Sequence, residues 1–110
     1  MPRVKLSRIA LARSGDKGNS SNIGVIARTP ALYEFLRREL TAPVVKDAFR
    51  EICKGEVTRY ELPNLHSLNF VLRDSLGGGG TRSLITDPQG KAHGSALLQM
   101  DMEVPAELLP

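Results

Sequence analysis

Residues 10–27 read ALARSGDKGNSSNIGVIA, and this stretch decides the expected fold. The apolar segment Val4–Arg13 leads into it. Its alternation changes phase after Leu6, which predicts a strand with a bulge or one buried on both faces. A dense cluster of turn-forming residues follows at Ser14–Ser21. Because Ile23–Ala27 resumes the apolar run, the sequence predicts a β-hairpin here.

Helices are predicted directly after the hairpin. Thr29 offers a capping hydroxyl, and Pro30 suits the first helical position. Leucines recur at a four-residue spacing over 32–40, which lays them along one helical face. Residues 41–43 interrupt this helix, and a second one is expected to end at Gly55 as a left-handed cap. The residues expected to face inward on it are Val45, Ala48, Phe49 and Ile52.

Two interpretations compete in the middle of the chain. Val57–Leu62 is predicted to be a strand because it is rich in Val, Thr and Tyr. Asn64 can cap a helix over Leu65–Leu76, in which leucines form a stripe that Gly77 stops. Alternatively, Leu68–Leu72 is a strand paired with the preceding one. The three- and four-residue spacing of the leucines favours the helix.

Two further strands are predicted towards the end of the chain. Arg82–Thr86 is the first, residues 87–90 suit a type I turn, and Ala96–Val104 alternates apolar with polar residues. The order is ββαβαββ, which predicts an α+β two-layer sandwich with helices on one face of a mainly antiparallel sheet. The other sheet face would be uncovered, which favours oligomerisation or docking to a larger chain.

The composition is that of an ordinary globular domain, expected to span residues 1–110 as one unit. Cys53 is alone, which excludes an internal disulfide and suits a reducing, cytoplasmic compartment. The sequence has no apolar run long enough for a membrane span and no secretory signal pattern. The net charge of +3 is interspersed and aromatics are sparse, which argues against nucleic-acid binding and leaves a small anionic ligand compatible.

The first glycine-marked segment, residues 13–22, combines varied polar chemistry. Glycines allow close approach of the backbone, while Arg13, Lys17 and backbone amides suit a phosphate or carboxylate. The segment is not a Walker loop, because the glycine-lysine-hydroxyl ending is absent. A solvated hairpin connection is the alternative, but so many polar residues favour a functional loop. Its candidate ligand-binding residues are Arg13, Ser14, Gly15, Asp16, Lys17, Gly18, Asn19 and Asn22.

The second segment consists of Gly77, Gly78, Gly79, Gly80, Thr81, Arg82 and Ser83. Only Gly77 is needed to end a helix, so the further glycines suggest a close-fitting or mobile segment. The order helix, glycines, strand is the reverse of a dinucleotide fingerprint. Arg82 with its two neighbouring hydroxyls suits an anion; equally, Arg82 can be a surface strand residue. We expect the two segments to lie near each other.

Other reactive residues form no recognisable catalytic or metal site. His66, His93 and Cys53 lack metal-ligand spacing, so no metal and no cofactor are expected. No nucleophile elbow is present. Asp16 and Lys17 suit a solvated ion pair better than an acid/base couple.

Two blocks resemble the AtuA-like ferredoxin-fold domain of the acyclic terpene utilisation AtuA family. They are ALARSGDKGNSSNIGVIAR at 10–28 and LHSLNFVLRDSLGGGGTRSLITDPQGKAHGSALLQM at 65–100. The resemblance implies a ferredoxin-like fold, whose βαββαβ core requires a strand between Leu62 and the second helix: either that strand is short, or the segment around Leu68 is partly extended. It also implies a site at the matching positions in both glycine-marked segments and at Asn69, whereas Gly90 and Lys91 match a hairpin that is structural.

The resemblance further implies a setting in the bacterial degradation of branched or terpenoid acids as coenzyme A thioesters. In that family the domain ends a large AtuA chain or forms a separate small protein beside it, and this chain resembles the separate form. The leading hypothesis is a small subunit that binds a larger AtuA-like chain and completes or regulates a site for an acyl-CoA or related carboxylate. The alternatives are a self-associating binding module without catalytic activity and a free-standing enzyme acting on thioesters.

Overall fold

The computed structural model describes residues 2–17, 20–50, 53, 55–73 and 91–110, with the backbone alone for 16, 17 and 91–93. The strands are β1 (Arg3–Lys5), β2 (Ala10–Lys17), β3 (Ser20–Ala27), β4 (Val57–Leu62), β5 (Ser67–Leu72) and β6 (Asp101–Glu103). The helices are α1 (Pro30–Glu39), α2 (Ala42–Ala48) and α3 (Lys91–Leu98).

The main sheet has the strand order β2-β3-β5-β4, and every neighbouring pair is antiparallel. β3 and β4 therefore run in the same direction on either side of β5, and α1 and α2 connect them. This split β-α-β unit is the signature of a ferredoxin-like fold. β1 and β6 form a separate two-stranded ribbon. The predicted α+β fold, with helices packed on a mainly antiparallel sheet, is confirmed.

The predicted hairpin is present, but its strands are longer than expected. Pairing runs from Ala10 with Ala27 to Lys17 with Ser20, so most of the first glycine-marked segment is strand rather than loop. Turn-forming residues can occupy a strand here because the hydrogen bonds between β2 and β3 pair their backbone N–H and C=O groups. Upstream, the phase change after Leu6 reflects a 3-10 turn at Leu6–Arg8 between β1 and β2, rather than a bulge within one strand.

Helix α1 forms as predicted. The Thr29 hydroxyl accepts a hydrogen bond from the Leu32 amide at 3.1 Å, and the leucines at 32, 36 and 40 are all buried. On the neighbouring edge strand, the Arg59 guanidinium donates to the carbonyls of Arg37 at 2.7 Å and Leu40 at 3.1 Å. This arginine ties β4 to the C-terminal end of α1, where free carbonyls and the helix dipole favour a cation.

Helix α2 is shorter than predicted. Val45 and Phe49 are buried as expected, but Ala48 is exposed and the helix ends there, well before Gly55. Ile52 lies outside the described residues.

Gly55 does not have a left-handed backbone. Its amide donates to the Arg73 carbonyl at 3.0 Å, while the Arg73 amide donates to the Glu56 carbonyl at 3.0 Å. Two residues thus oppose one, as in a β-bulge. A glycine suits this position because a Cβ there would lie 2.8 Å from the Arg73 oxygen.

The helix predicted over Leu65–Leu76 is wrong, and the competing strand is correct. β5 occupies Ser67–Leu72, after a 3-10 turn at Pro63–Leu65 and a left-handed His66 with φ of 50°. Asn64 therefore caps no α-helix. A spacing of four residues fits both a helical and a strand period; burial of Phe70 between Leu68 and Leu72 reflects the two-residue period of a strand.

The strand predicted over Ala96–Val104 is also wrong. Its first part belongs to α3, and only Asp101–Glu103 is extended. Leu97, expected on the wet face, is buried, whereas Ala96 is exposed. Packing of α3 on β2 has overridden the local alternation. The strand predicted at Arg82–Thr86 and the turn at 87–90 lie outside the described residues.

One core cluster joins the buried sides of the helices to one face of the main sheet. Its largest fully buried side chains include Phe70, Leu6, Ile9, Ile23, Leu32, Leu36, Leu68 and Leu72. Among the described residues, no helix has the length and apolar character needed to cross a membrane.

Candidate functional site

The second face of the main sheet is covered by none of the described elements, and we call it the open face. Residues 21, 23, 25 and 27 of β3 are buried towards the helices, whereas 22, 24 and 26 point the other way and are more accessible. The strand register arranges the open face in three rows that each cross β2, β3, β5 and β4. The main sheet therefore has one buried side and one accessible side.

The first row, called the apolar row, is Leu11, Ile26, Ser67 and Leu62. The second, called the polar row, is Arg13, Gly24, Asn69 and Tyr60. The third, called the glycine row, is Gly15, Asn22, Val71 and Thr58. Apolar side chains remain exposed in the first two rows: Leu11 is 52% exposed, Tyr60 48% and Leu62 41%.

The polar row contains a gap at Gly24. Among the described residues, a Cβ on Gly24 would find only the Asn69 Oδ1 at 3.9 Å and the Arg13 carbonyl oxygen at 4.0 Å. Neighbouring strands lie about 4.8 Å apart, so the backbones of Arg13 and Asn69 are separated by roughly 10 Å across this gap. The gap can admit a small polar group between the strand positions of Arg13 and Asn69.

Two side-chain carboxamides lie near Gly15 and Gly24. The Asn22 Oδ1 lies 3.5 Å from the position that a Cβ on Gly15 would occupy, and the Asn69 Oδ1 lies near Gly24. Within the part of the chain that the structure describes, the side chains of Arg13, Asn22 and Asn69 make no hydrogen bond or ion pair. They retain donors and acceptors for a ligand or a partner chain.

Ser14 lies on the opposite, helix-covered face. Its Oγ accepts a hydrogen bond from the Gly94 amide of α3 at 2.9 Å. Gly94 allows this close approach, because a Cβ there would lie 3.1 Å from the Ser14 Oγ and 3.4 Å from the Arg13 carbonyl carbon. Ser14 therefore holds α3 against β2 and does not share the open face with Arg13.

The remaining predicted site residues are placed only in part. Asp16 and Lys17 end β2, where Lys17 pairs with Ser20. Gly18, Asn19 and the whole second segment, residues 77–83, lie outside the described residues. The expectation that the two glycine-marked segments lie near each other stays a prediction.

Several residues of the open face were missed by the sequence reasoning: Leu11, Gly24, Ile26, Tyr60 and Leu62. Gly24 carried a usable signal, because a glycine inside an apolar strand often marks a close approach by another molecule. The exposed apolar residues carried none, because strand alternation gives a face only once the pairing register is known.

The other reactive groups have structural surroundings. The buried Cys53 thiol donates to the carbonyls of Gly55 at 3.5 Å and Arg73 at 3.3 Å. The Tyr33 and His66 rings are tilted with centroids 6.0 Å apart. The buried Tyr33 hydroxyl has no hydrogen-bond partner among the described residues. Burial, followed by the charge of Glu61, raises the pKa of the Tyr33 phenol.

A groove of about 580 Å³ lies beside α2 and β4, away from the open face. It is lined by Ala42, Pro43, Lys46, Gly55, Glu56 and Val57. The Lys46 ammonium group in this groove already donates hydrogen bonds to the carbonyls of Gly55 and Cys53. Across the described ranges, no group of three or more His, Cys, Asp or Glu side chains is placed to hold a metal ion.

The fold and the match to known families agree. The model of the AtuA ferredoxin-like domain matches residues 4–103, nearly the whole chain. This chain belongs to the AtuA ferredoxin-like domain family. Searches of the curated proteins and of the solved structures return no match.

Proposed function

We propose that this chain is the small component of an AtuA-like system that degrades branched or terpenoid acids. Its open face binds the anionic part of an acyl-CoA or related carboxylate, in a site that a larger AtuA-like chain completes. One observation carries the proposal: Arg13 and Asn69 flank Gly24 on the open face, Asn22 lies in the next row, and the described residues leave the hydrogen-bonding groups of these three side chains unused.

The chemistry of these residues suits an oxyanion. A guanidinium forms charge-assisted hydrogen bonds with a carboxylate or phosphate, and these are roughly twice as strong as neutral ones. The two carboxamides can donate to the same oxyanion or accept from a neighbouring hydroxyl. Gly24 lets the ligand approach the strand backbone closely.

The exposure of Arg13 on the open face explains why a second chain is part of the proposal. A guanidinium–carboxylate pair exposed to water contributes only about 0–1 kcal/mol. A covering chain would exclude water and strengthen the pair. The apolar row beside the polar row offers such a chain a surface to pack against. The buried, reduced Cys53 suits a cytoplasmic setting for this complex.

The test is co-expression with the larger AtuA-like chain of the same host, followed by size-exclusion chromatography with and without acyl-CoA. We expect a complex, and we expect Arg13→Gln to weaken acyl-CoA binding to it by about tenfold, or roughly 1.4 kcal/mol. Arg8→Gln is the matched control, because Arg8 is exposed on the 3-10 turn and outside the open face. Failure to associate under every ligand condition would exclude the proposal.

A further inference from the structure

The open face is complementary to itself. Consider a two-fold axis that runs parallel to the strands and midway between β3 and β5. It brings a second copy face to face, so that each row lies opposite the same row while β2 faces β4 and β3 faces β5. Aligned packing of two sheets is a common arrangement, and two-fold interfaces join identical patches.

The apolar row pairs well under this symmetry. Leu11 lies opposite Leu62 of the second copy, and Ile26 lies opposite the small Ser67. Leu11, Ile26 and Leu62 are each at least 36% exposed in the single chain, so pairing would remove exposed apolar surface from water.

In each of the other two rows, one pair sets a glycine opposite a side chain of the second copy, and Asn22 lies opposite Val71. Arg13 lies opposite Tyr60 of the second copy, an arrangement that permits a cation–π contact. The gap at Gly24 lies opposite Asn69, and Gly15 lies opposite Thr58. The glycines thus provide recesses for side chains of the second copy, and no like charges from Arg13 face each other.

The size of the face suits a weak, reversible dimer. Four strands about 4.8 Å apart and six residues of about 3.3 Å each give a patch of roughly 19 by 20 Å. Two such patches have a projected area of roughly 760 Å² in total, which is in the range of weak, transient interfaces. An axis perpendicular to the strands would instead put the apolar row against the glycine row, which is a poorer match.

We infer that the isolated chain is a homodimer whose two open faces cover each other, and that the larger chain takes the place of the second copy. We call the covering of the anion-binding groups by the second copy the masking. The masking rests on the proposed function, whereas the dimer does not. Because Arg13, Asn22 and Asn69 lie within the paired faces, self-association regulates access to the anion-binding groups. Mass action sets the balance between the two complexes.

The dimer is tested on the isolated chain by light scattering, with circular dichroism as a check of folding. At about 50 µM we expect a mass twice the 12.0 kDa of one chain. Leu11→Lys and Leu62→Glu should each weaken self-association by about tenfold or more. The double variant should regain the dimer at low salt, because each contact then pairs a lysine with a glutamate. Val44→Lys is the control, since Val44 is 37% exposed on α2, outside the open face.

A monomeric wild-type chain would overturn the inference, as would a dimer that neither single variant weakens. Adding the larger chain should convert the dimer into a complex with one copy of the small chain; a complex that keeps two copies would overturn the masking. If the larger chain does not bind at all, the proposed function fails, while the dimer is still decided by light scattering.

Discussion

The hydroxyl of Ser14 and the amide of Gly94 meet at 2.9 Å, and this contact fixes helix α3 on the edge strand β2. A side chain on Gly94 would press on this contact, because a Cβ there would lie 3.1 Å from the Ser14 Oγ and 3.4 Å from the Arg13 carbonyl carbon. The same strand presents Arg13 to the open face. The seating of α3 therefore supports the strand that carries the charged group of the candidate site.

Removal of the Ser14 hydroxyl should destabilise the fold. Ser14→Ala leaves the Gly94 amide without this acceptor at a partly buried position, which we expect to cost about 1–3 kcal/mol. Urea unfolding followed by circular dichroism measures the change. Ser95→Ala, at an exposed position on the same helix, is the control. Equal stability of the two variants would show that the contact is dispensable.

Two glycines should respond in opposite ways to alanine. At Gly55 a Cβ would meet the Arg73 carbonyl oxygen at 2.8 Å and its carbon at 3.0 Å, and these backbone atoms cannot easily yield. Gly55→Ala should therefore cost about 1–3 kcal/mol by overpacking. Gly24→Ala meets no atom of the described residues closer than 3.9 Å and should be neutral or slightly stabilising. Thermal unfolding of both variants checks the contrast, and a similar loss in both would contradict it.

Filling the gap at Gly24 should impair binding without harming the fold. Gly24→Val suits a strand, but its side chain would occupy the space between Arg13 and Asn69. We expect about a tenfold loss of acyl-CoA affinity in the complex with the larger chain, measured by calorimetry. Thr58→Val adds no comparable bulk and serves as the control on the same face. Unchanged affinity in Gly24→Val would place the ligand elsewhere.

The Tyr33 hydroxyl should be dispensable. It is buried without a partner among the described residues, so Tyr33→Phe should leave the free energy of unfolding unchanged or raise it by up to about 1 kcal/mol. Tyr60→Phe, on the open face, is the control. A loss of stability specific to Tyr33→Phe would instead reveal a bound water or another partner for the hydroxyl.

The same residue should make stability depend on alkaline pH. Because burial raises the pKa of Tyr33 above its ordinary value of 10.0, the folded chain holds the phenolic proton more tightly than the unfolded chain. This contribution is complete below pH 10 and is lost as the pH rises through the folded-state pKa. Urea unfolding between pH 9 and 11 should show a steeper decline for wild type than for Tyr33→Phe. Identical slopes would contradict this expectation.

Local signals predicted those elements that local chemistry determines. The Thr29 cap, the leucine stripe of α1 and the bounds of β4 follow from residues close in sequence. Leu68 and Leu72 fit two periods at once, so only burial of Phe70 within the sheet distinguishes strand from helix. α3 depends on its contact with β2, which no local window contains.

The sequence pointed to three residues of the candidate site but not to their arrangement. Arg13, Asn22 and Asn69 were expected to bind a ligand, yet Arg13 and Asn22 were assigned to a loop. They lie on paired strands, and Asn69 joins them only because β5 lies beside β3. Ser14 was assigned with Arg13, and strand alternation separates the two onto opposite faces.

The hairpin register also limits how the length of this chain can change. Two residues separate Lys17 from Ser20 along the sequence. If a single residue were inserted or lost within β2, every side chain on one side of that point would exchange sides of the sheet. Arg13 would enter the apolar interior and Ser14 would face the solvent. Homologues should therefore tolerate substitutions along this hairpin far more readily than the insertion or deletion of a single residue.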